Sequence, residues 1–432
     1  MSTTEPDLRT IQKTLFQALR DRPLNLMNED DRKLYEPLHD DDHDPVARLF
    51  DTIEMSDVES VQLVAGFRGT GKTTEFSRLE KKLWESGYFV IRVDLDRYVD
   101  MHSPVDIRDF LLILAGAISD RLTDDRLLGP TEGLEKSFWE RARGFLPSSI
   151  VPKEVNLKTP ISDLKLALQI DATFRDEVRK AFAGRLGELV KQVREHHEAI
   201  RKALAKRAGR EIKLVVILDS LEHLRGNVGD AKEVRRSIEE LFFTHSEHLG
   251  LPDTHLVMSV PAFLALRADN LAAQFVNGQV QAWPAYRVQD IKGERTQVVD
   301  RMIALIGRRS DGNLGRILPD QAALEKIILA SGGHMRDLLN MLIEAIHLAG
   351  RGVRPDAADR VIAVAKRAYM PLYKDEIAVL KRVAMSRSLR DINVTEQEHI
   401  LRFLDAGLVL CYMNDDFWYD VHPLVREDVL AP

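Results

Sequence analysis

The chain has 432 residues, room for two or three domains of about 100–200 residues each. Hydrophobic residues make up 44% and charged residues 30%, the balance of a folded protein with a real core, which excludes a disordered chain. A net charge of −7 gives no global attraction to nucleic acid or anionic membrane and leaves only local basic patches. The single cysteine, Cys411, excludes an internal disulfide framework and a cysteine zinc site. Met1–Thr10 is polar and acidic, without a signal-peptide core. The longest apolar run, Phe110–Ile118, falls far short of the ~20 residues of a membrane span. A cytoplasmic protein with no membrane partner is the expectation.

Residues 1–45 read as an N-terminal arm ending in His39-Asp40-Asp41-Asp42-His43-Asp44, a solvated acidic loop rather than a metal site. A helix is expected from Pro45 to Ile53. Val61-Gln62-Leu63-Val64-Ala65, a Gly-rich turn and an amphipathic run to Trp84 predict strand, loop and helix. Tyr88–Asp94 predicts a second strand and Ile107–Leu122 a buried helix. An interruption over about 124–211 carries Pro130, Pro147, Pro152 and Pro160, then one helical run from Phe174 to Ala208. Its apolar stripe is Val178, Phe182, Leu186, Leu189, Val193, Ile200 and Leu204. The other face holds Arg179, Lys180, Lys191, Arg194, Arg201, Lys202, Lys206 and Arg207, with Glu177, Glu188, Glu195 and Glu198 among them. That face is either a nucleic-acid contact or a solvated surface. His196 and His197 lack the glutamate and spacing of a zinc helix and are expected at the surface.

Leu214–Leu218 is bare of polar residues, as a strand buried on both faces of a parallel sheet should be. A helix over Asp230–Leu249 and strands over His255–Val260 and Ala282–Val288 follow. Alternating strands and helices predict an α/β parallel sheet with helices on both faces. After about residue 290, helical periodicity dominates: Glu294–Arg308, Pro319–Ala330, Met335–Ala349 and Pro355–Ala368. Two more helices and a hairpin of Leu408–Tyr412 with Phe417–Val421 predict a winged helix. The expected organisation is an arm (1–45), a sheet domain with a helical insert (46–290, insert about 124–211), a helical lid (291–368) and a winged-helix domain (369–432).

Gly66-Phe67-Arg68-Gly69-Thr70-Gly71-Lys72-Thr73 fits G-x-x-x-x-G-K-[ST] between a strand and a helix, the P-loop of nucleotide-binding NTPases. Glycines let successive backbone N–H groups face phosphate oxygens, and the helix N-terminus adds partial positive charge. Lys72 is expected on the β- and γ-phosphates and the Thr73 hydroxyl on magnesium. Gly66, Gly69, Thr70, Gly71 and Thr74 complete the cradle, so ATP or ADP with Mg2+ is the predicted ligand. Asp219 ends the apolar strand, at the edge where parallel sheets bind ligands, and is expected to hold magnesium through water. Glu222, in Asp219-Ser220-Leu221-Glu222, is the candidate to orient or deprotonate the attacking water, or else a capping or surface acid. Many P-loop ATPases have that acid directly after the aspartate. Ser220 stands there, so Glu222 acts from an adjacent position or hydrolysis is slow. Ser259 either hydrogen-bonds the γ-phosphate or attacking water, or simply ends its strand ahead of Pro261.

Ser331-Gly332-Gly333-His334-Met335-Arg336-Asp337-Leu338-Leu339 resembles the sensor 2 region of initiator-type AAA+ ATPases, the origin-recognition and replication-licensing group. The resemblance implies that Arg336 reaches the nucleotide phosphates, the alternative being a surface arginine on a lid helix. Tyr419-Asp420-Val421-His422-Pro423-Leu424-Val425 resembles the Met-His-Asp segment of STAND ATPases, signalling NTPases that include plant immune receptors. It implies that His422 touches the β-phosphate of ADP and locks a closed form. Pro423 stands where that family has an acid, and a packed structural histidine is the alternative. Asp219-Ser220-Leu221-Glu222 also looks like the STAND pattern. No arginine finger distinguishes itself, although Arg267 lies in the usual interval.

These motifs, scattered over roughly 45–425, imply an AAA+/STAND-like regulatory ATPase whose nucleotide state controls domain arrangement, self-association or a protein partner. The alternative is a DNA-associated initiator or transposition-type AAA+ ATPase, binding through the basic helix at 174–210. A DNA-reading winged helix should be basic at its recognition helix and wing. Here a helix expected from Thr395, with Glu398 completing a capping box, carries Glu396, Glu398 and Asp405 against Arg402, and the wing tip is Asn414-Asp415-Asp416. Such a domain is expected to pack on protein.

Overall fold

A computed structural model describes residues 8–67, 69–122, 167–226, 229–390, 392–393, 396–414 and 416–431. Residues 123–166, about half of the expected insert, lie outside that set. The chain forms two compact units, one from 49–65 and 79–282, the other from 1–48, 66–78 and 283–432.

The first unit is built on a five-stranded sheet in the order β2-β3-β4-β1-β5, with β1 Ser60–Gly66, β2 Phe89–Asp94, β3 Leu214–Asp219, β4 Thr254–Val260 and β5 Gln279–Trp283. β1 with β4, β4 with β3, and β3 with β2 run parallel. Every residue of β1, β3 and β4 is buried, so the unbroken apolar runs reflect cover on both faces. The expected strand over Ala282–Val288 stops at Trp283 because Pro284 has no N–H for the ladder. The next residue instead donates from Ala285 N to the Cys411 carbonyl, at 2.8 Å.

The helical run expected over Phe174–Ala208 is two helices, Ala172–Ala181 and Leu186–Ala208. Gly184, at φ +71°, breaks it in a left-handed turn. His196 and His197 are not surface residues: they are 4% and 3% exposed. His197 falls on the Val193, Ile200 and Leu204 stripe, so its ring had to follow that face inward. Its Nε2 lies 2.7 Å from Thr254 Oγ1, and that hydroxyl donates to the Pro252 carbonyl. The hydroxyl proton is therefore spent, and Nε2 carries the donating hydrogen. The helix expected over Asp230–Leu249 is likewise interrupted, by a π turn at Glu240–Thr244.

In the second unit, lid helices Val298–Ser310, Gln321–Ala330, Met335–Ala349 and Ala357–Lys366 pack round a core that includes Val299, Met302, Ile306, Leu338 and Leu342. The first lid helix begins at Val298 rather than Glu294, because Asp290 Oδ1 takes the N–H groups of Lys292 and Glu294 and holds a turn there. The stretch read as an arm contributes a helix, Leu8–Leu19, whose Ile11, Leu15 and Leu19 join that same core. After the lid come helices Lys374–Ser386 and Gln397–Asp405, the antiparallel hairpin β6 Val409–Met413 and β7 Phe417–Val421, and a helix Pro423–Leu430. This is the expected winged-helix order. The expected capping box of Thr395 and Glu398 falls on Thr395, outside the described residues; the helix starts at Gln397, and the carboxylate of Glu396 before it accepts from Asn393 N. Among the described residues no helix is long and apolar enough to cross a membrane.

Burial, reinforced by Arg201 nearby, pushes His197 down to about 4. The unfolded chain therefore takes up this proton first as pH falls through its ordinary value of about 6.5, and stability drops between there and pH 4. His197→Gln should make the slope of unfolding free energy against pH shallower by about one proton in that window. Urea titrations across the window measure it, and a slope equal to wild type would show that His197 is not the responsible group.

Candidate functional site

The P-loop joins β1 to the helix Lys72–Glu85. Gly69 and Gly71 have φ of +77° and +92°, conformations that side chains resist. The Phe67 carbonyl accepts from Thr70 Oγ1 at 2.9 Å and from Lys72 Nζ at 2.5 Å. Lys72 is 4% exposed and its stem lies over Gly66, where a Cβ would come within 2.5 Å of Lys72 Cδ. The ammonium is thus held at the loop itself, and left-handed glycines beside a buried lysine fit an anionic phosphate chain. Thr73 is half-buried in the first helical turn. Thr74 Oγ1 accepts from Leu24 N at 3.0 Å and Ser77 Oγ from Leu26 N at 2.8 Å, so this helix holds the segment around residue 25. Arg68 lies outside the described residues.

Glu75, one turn on, is buried against Tyr35, Tyr286 and Arg78. Burial raises its pKa, with Arg78 opposing. Tyr286 reaches further. Its hydroxyl lies 3.0 Å from where a Gly71 Cβ would stand, and its carbonyl oxygen only 1.7 Å from where a Gly333 Cβ would stand. Gly332 and Gly333, at φ +59° and +79°, form the lid turn. That turn brings Arg336 N to the Gly69 carbonyl at 3.0 Å and the His334 ring within 2.7 Å of a Gly69 Cβ position. The Arg336 side chain is held by Asp21, Nε to Oδ2 at 2.7 Å, and is 42% exposed.

His422 is fully buried. Its Nδ1 accepts from Leu424 N at 3.2 Å, which places the ring proton on Nε2. Nε2 faces Asp337 Oδ2 at 3.1 Å, and His334 Nδ1 approaches the same oxygen at 3.0 Å. Tyr369 donates to that oxygen and stacks on His422 with ring centroids 4.8 Å apart. Burial alone would raise the Asp337 pKa. The contacts with His334 and His422 outweigh it and hold Asp337 well below the usual carboxylate range. Burial lowers His422. His422 therefore meets the lid helix at Asp337, with Nδ1 taken by Leu424 N. Asp337 and His334 were not singled out by the sequence, although they flank Arg336 in the quoted motif.

In the sheet unit, the carboxyl edge gathers the other predicted residues. Asp219 pairs in register with Asp94, and Ser259 with Val64, two residues before Gly66. Asp219 and Ser259 are 1% and 0% exposed. Ser220, at φ +78°, donates from Oγ to Asp94 at 2.8 Å, and Asp219 Oδ1 accepts from Ser220 N at 2.9 Å. Ser259 Oγ accepts from Leu221 N at 3.1 Å and so ties β4 to the turn that carries Glu222. Glu222 is 8% exposed, with His223 beside it on Asp96 at 2.7 Å. Asp94 is a second acid at this edge that the sequence did not single out. Among the described residues no cluster of three or more His, Cys, Asp or Glu forms a metal cage.

Part of the basic helix face is matched by acids: Arg179 with Asp109 at 2.6 Å, Arg201 with Asp253 at 2.6 Å, and Lys202 with Glu198 at 3.3 Å. In the winged helix, Arg402 pairs with Glu376 and Arg382 with Glu396. Asp415 and the Arg267 side chain are outside the described residues.

No family model and no curated relative matches the chain. Among solved structures it is similar to the Aeropyrum pernix ORC2 protein in its ADP form (14% identity, 93% of this chain and 96% of that one, TM-score 0.43). It is also similar to CDC6P from Pyrobaculum aerophilum (12% identity, 93% and 96%, TM-score 0.35). A third is Drosophila ORC bound to AT-rich DNA and Cdc6 (12% identity, 94% and 53%, TM-score 0.31). At these values the likeness decides nothing about the site, which rests on its own residues.

Gly333→Ala should lower the melting temperature sharply, since its methyl meets the Tyr286 carbonyl in an αL backbone. Gly293→Ala, equally left-handed but in open space, should cost only about 1 kcal/mol. Equal melting shifts would show that the Tyr286 contact does not constrain the turn.

Proposed function

We propose that this chain is a nucleotide-dependent ATPase of the initiator AAA+ type, in which ATP or ADP at the Gly66–Thr73 loop sets the position of the lid and winged helix. One observation carries the reading: Gly69, His334, Asp337 and His422 form a continuous series of contacts from the phosphate loop through the lid to the winged helix. A phosphate drawn to the loop would press on the Gly69 corner, and His334 packs on that corner. Lys72 and the loop N–H groups bind phosphate oxygens, and Thr73 with Asp219 would hold Mg2+, whose charge would offset that of the phosphates. Glu222 orients the attacking water, Ser259 keeps the Glu222 turn on the sheet edge, and Arg336 reaches the phosphates by exchanging its Asp21 partner. Turnover is proposed to be slow, because Ser220 follows Asp219 and is itself bonded to Asp94.

A second reading is DNA association, favoured by the order of P-loop sheet, Gly-Gly-His-Met-Arg lid turn and winged helix. The acid partners of Arg179, Arg201 and Lys202 weaken the basic helix as its footprint. The regulatory reading would act through self-association or a protein partner.

Lys72→Ala should abolish ADP binding, Glu222→Gln should bind ATP without turning it over, and His422→Ala should speed ADP release. Titration calorimetry, phosphate release and exchange of a fluorescent ADP measure the three. Full turnover in Glu222→Gln would move the catalytic acid elsewhere, and unchanged ADP release in His422→Ala would sever the winged helix from the nucleotide. Light scattering with ADP, a non-hydrolysable ATP analogue and duplex DNA at low salt separates the readings. A DNA-bound species that weakens when Arg201, Lys202, Lys206 and Arg207 are neutralised would favour the second.

A further inference from the structure

Arg309 ends the first lid helix and is 8% exposed. Its Nε is buried without a hydrogen-bond partner. Among the described residues its side chain forms no ion pair. The charged groups acting on it are Arg22, Asp21 and Asp31, together with the Tyr286 phenol. Both carboxylates are already taken. Asp31 accepts from Arg22 in a bidentate pair at 2.6 and 3.0 Å and from Asn25 N at 2.8 Å. Asp21 holds Arg336 at 2.7 Å. Three guanidinium groups (Arg22, Arg309, Arg336) thus share two carboxylates (Asp21, Asp31), and one positive charge is left over. Burial and the nearness of Arg22 lower the Arg309 pKa, as an unmatched cation requires.

A buried charge without a partner costs several kcal/mol. Its surroundings show what repays that cost. Arg308, the residue before Arg309, donates to the Tyr35 carbonyl at 3.0 Å, and the Tyr35 hydroxyl donates to Glu75 in the first turn after Lys72. Tyr286, in one core with Leu305 and Ile306 of the same lid helix, sets its hydroxyl against Gly71. Asp21 holds the side chain of Arg336, whose main-chain N–H sits on the Gly69 carbonyl. The surplus charge therefore borders the phosphate loop. A nucleobase is neutral and leaves the charge unmatched; a phosphate chain matches it. We infer that Arg309 is a nucleotide ligand, its guanidinium taking a phosphate oxygen of the nucleoside di- or triphosphate held by the Gly66–Thr73 loop. This rests on the nucleotide reading above, and it is a site separate from Arg336.

The test is Arg309→Met, similar in length and apolar, with Arg309→Lys beside it. Calorimetry with ADP and with adenosine is run on each protein, and melting temperature is recorded without ligand. Arg309→Met should weaken ADP at least about tenfold, leave adenosine unchanged, and melt no lower than wild type without nucleotide, because a buried unmatched charge has been removed. Arg309→Lys should recover part of the ADP affinity. Wild-type ADP affinity in Arg309→Met overturns the assignment. So does equal loss of ADP and adenosine with a lower melting temperature, the signature of a packing residue. If Arg309→Met does not fold, Arg309→Lys still decides: weaker ADP with unchanged adenosine supports the assignment, and unchanged ADP overturns it. Failure of the wild-type protein to bind ADP would overturn the nucleotide reading itself, and the assignment with it.

Discussion

Tyr286 touches two glycines at once, and the second unit is organised by that fact. Its hydroxyl fills the space beside Gly71, and its carbonyl fills the space beside Gly333. Both glycines are in left-handed backbone, where a side chain would be strained even in the open. The phosphate loop and the lid turn are therefore spaced by one residue. The residue before it, Ala285, bonds to Cys411 in the hairpin, and Tyr412 Oη reaches back to the Gly332 carbonyl at 2.6 Å. Loop, lid turn and wing are registered to each other by backbone and ring contacts before any charge is considered.

On that frame Asp337 acts as a shared acceptor. One oxygen receives His334, His422 and Tyr369. A carboxylate largely withdrawn from water needs opposing donors or charge, and here Tyr369 donates to it while the His334 and His422 rings face it from two further chain segments. Moving any one of those segments would leave the others facing a poorly satisfied charge. The arrangement favours discrete positions over gradual drift.

Much of this was legible in the sequence, for identifiable reasons. The Gly66–Thr73 pattern specifies its own backbone, and Leu214–Leu218 could only be a buried parallel strand. The lid helix Met335–Ala349 was legible through its periodicity, whereas the left-handed turn at Gly332 and Gly333 before it was not read from the sequence. What escaped were partnerships at long range. His197 looked polar and exposed, yet its spacing from Val193, Ile200 and Leu204 put it inside, where Thr254 accepts its hydrogen bond. Leu8–Leu19 looked like an arm because its three buried residues make too narrow a stripe to announce a core more than 270 positions away, at Val298 onward. His422 was found by its motif. Its acceptor, Asp337, lies 85 residues earlier and no local pattern names it. Arg309 gave no signal at all, because an unmatched charge is visible only when every neighbour has been placed.

The second unit is stitched from three stretches of chain, residues up to 48, 66–78 and 283 onward. A ribosome delivers these stretches far apart in time. The sheet strands β1–β4 are all complete once residue 260 has emerged, but the walls of the phosphate loop are not. They need Tyr286, then His334 and Arg336. A nascent chain would thus carry four of the five sheet strands and an unfinished loop for much of its synthesis, and the loop would mature late. Any shortened product ending before residue 283 would keep strands β1–β4 and lose the surroundings that shape its motif.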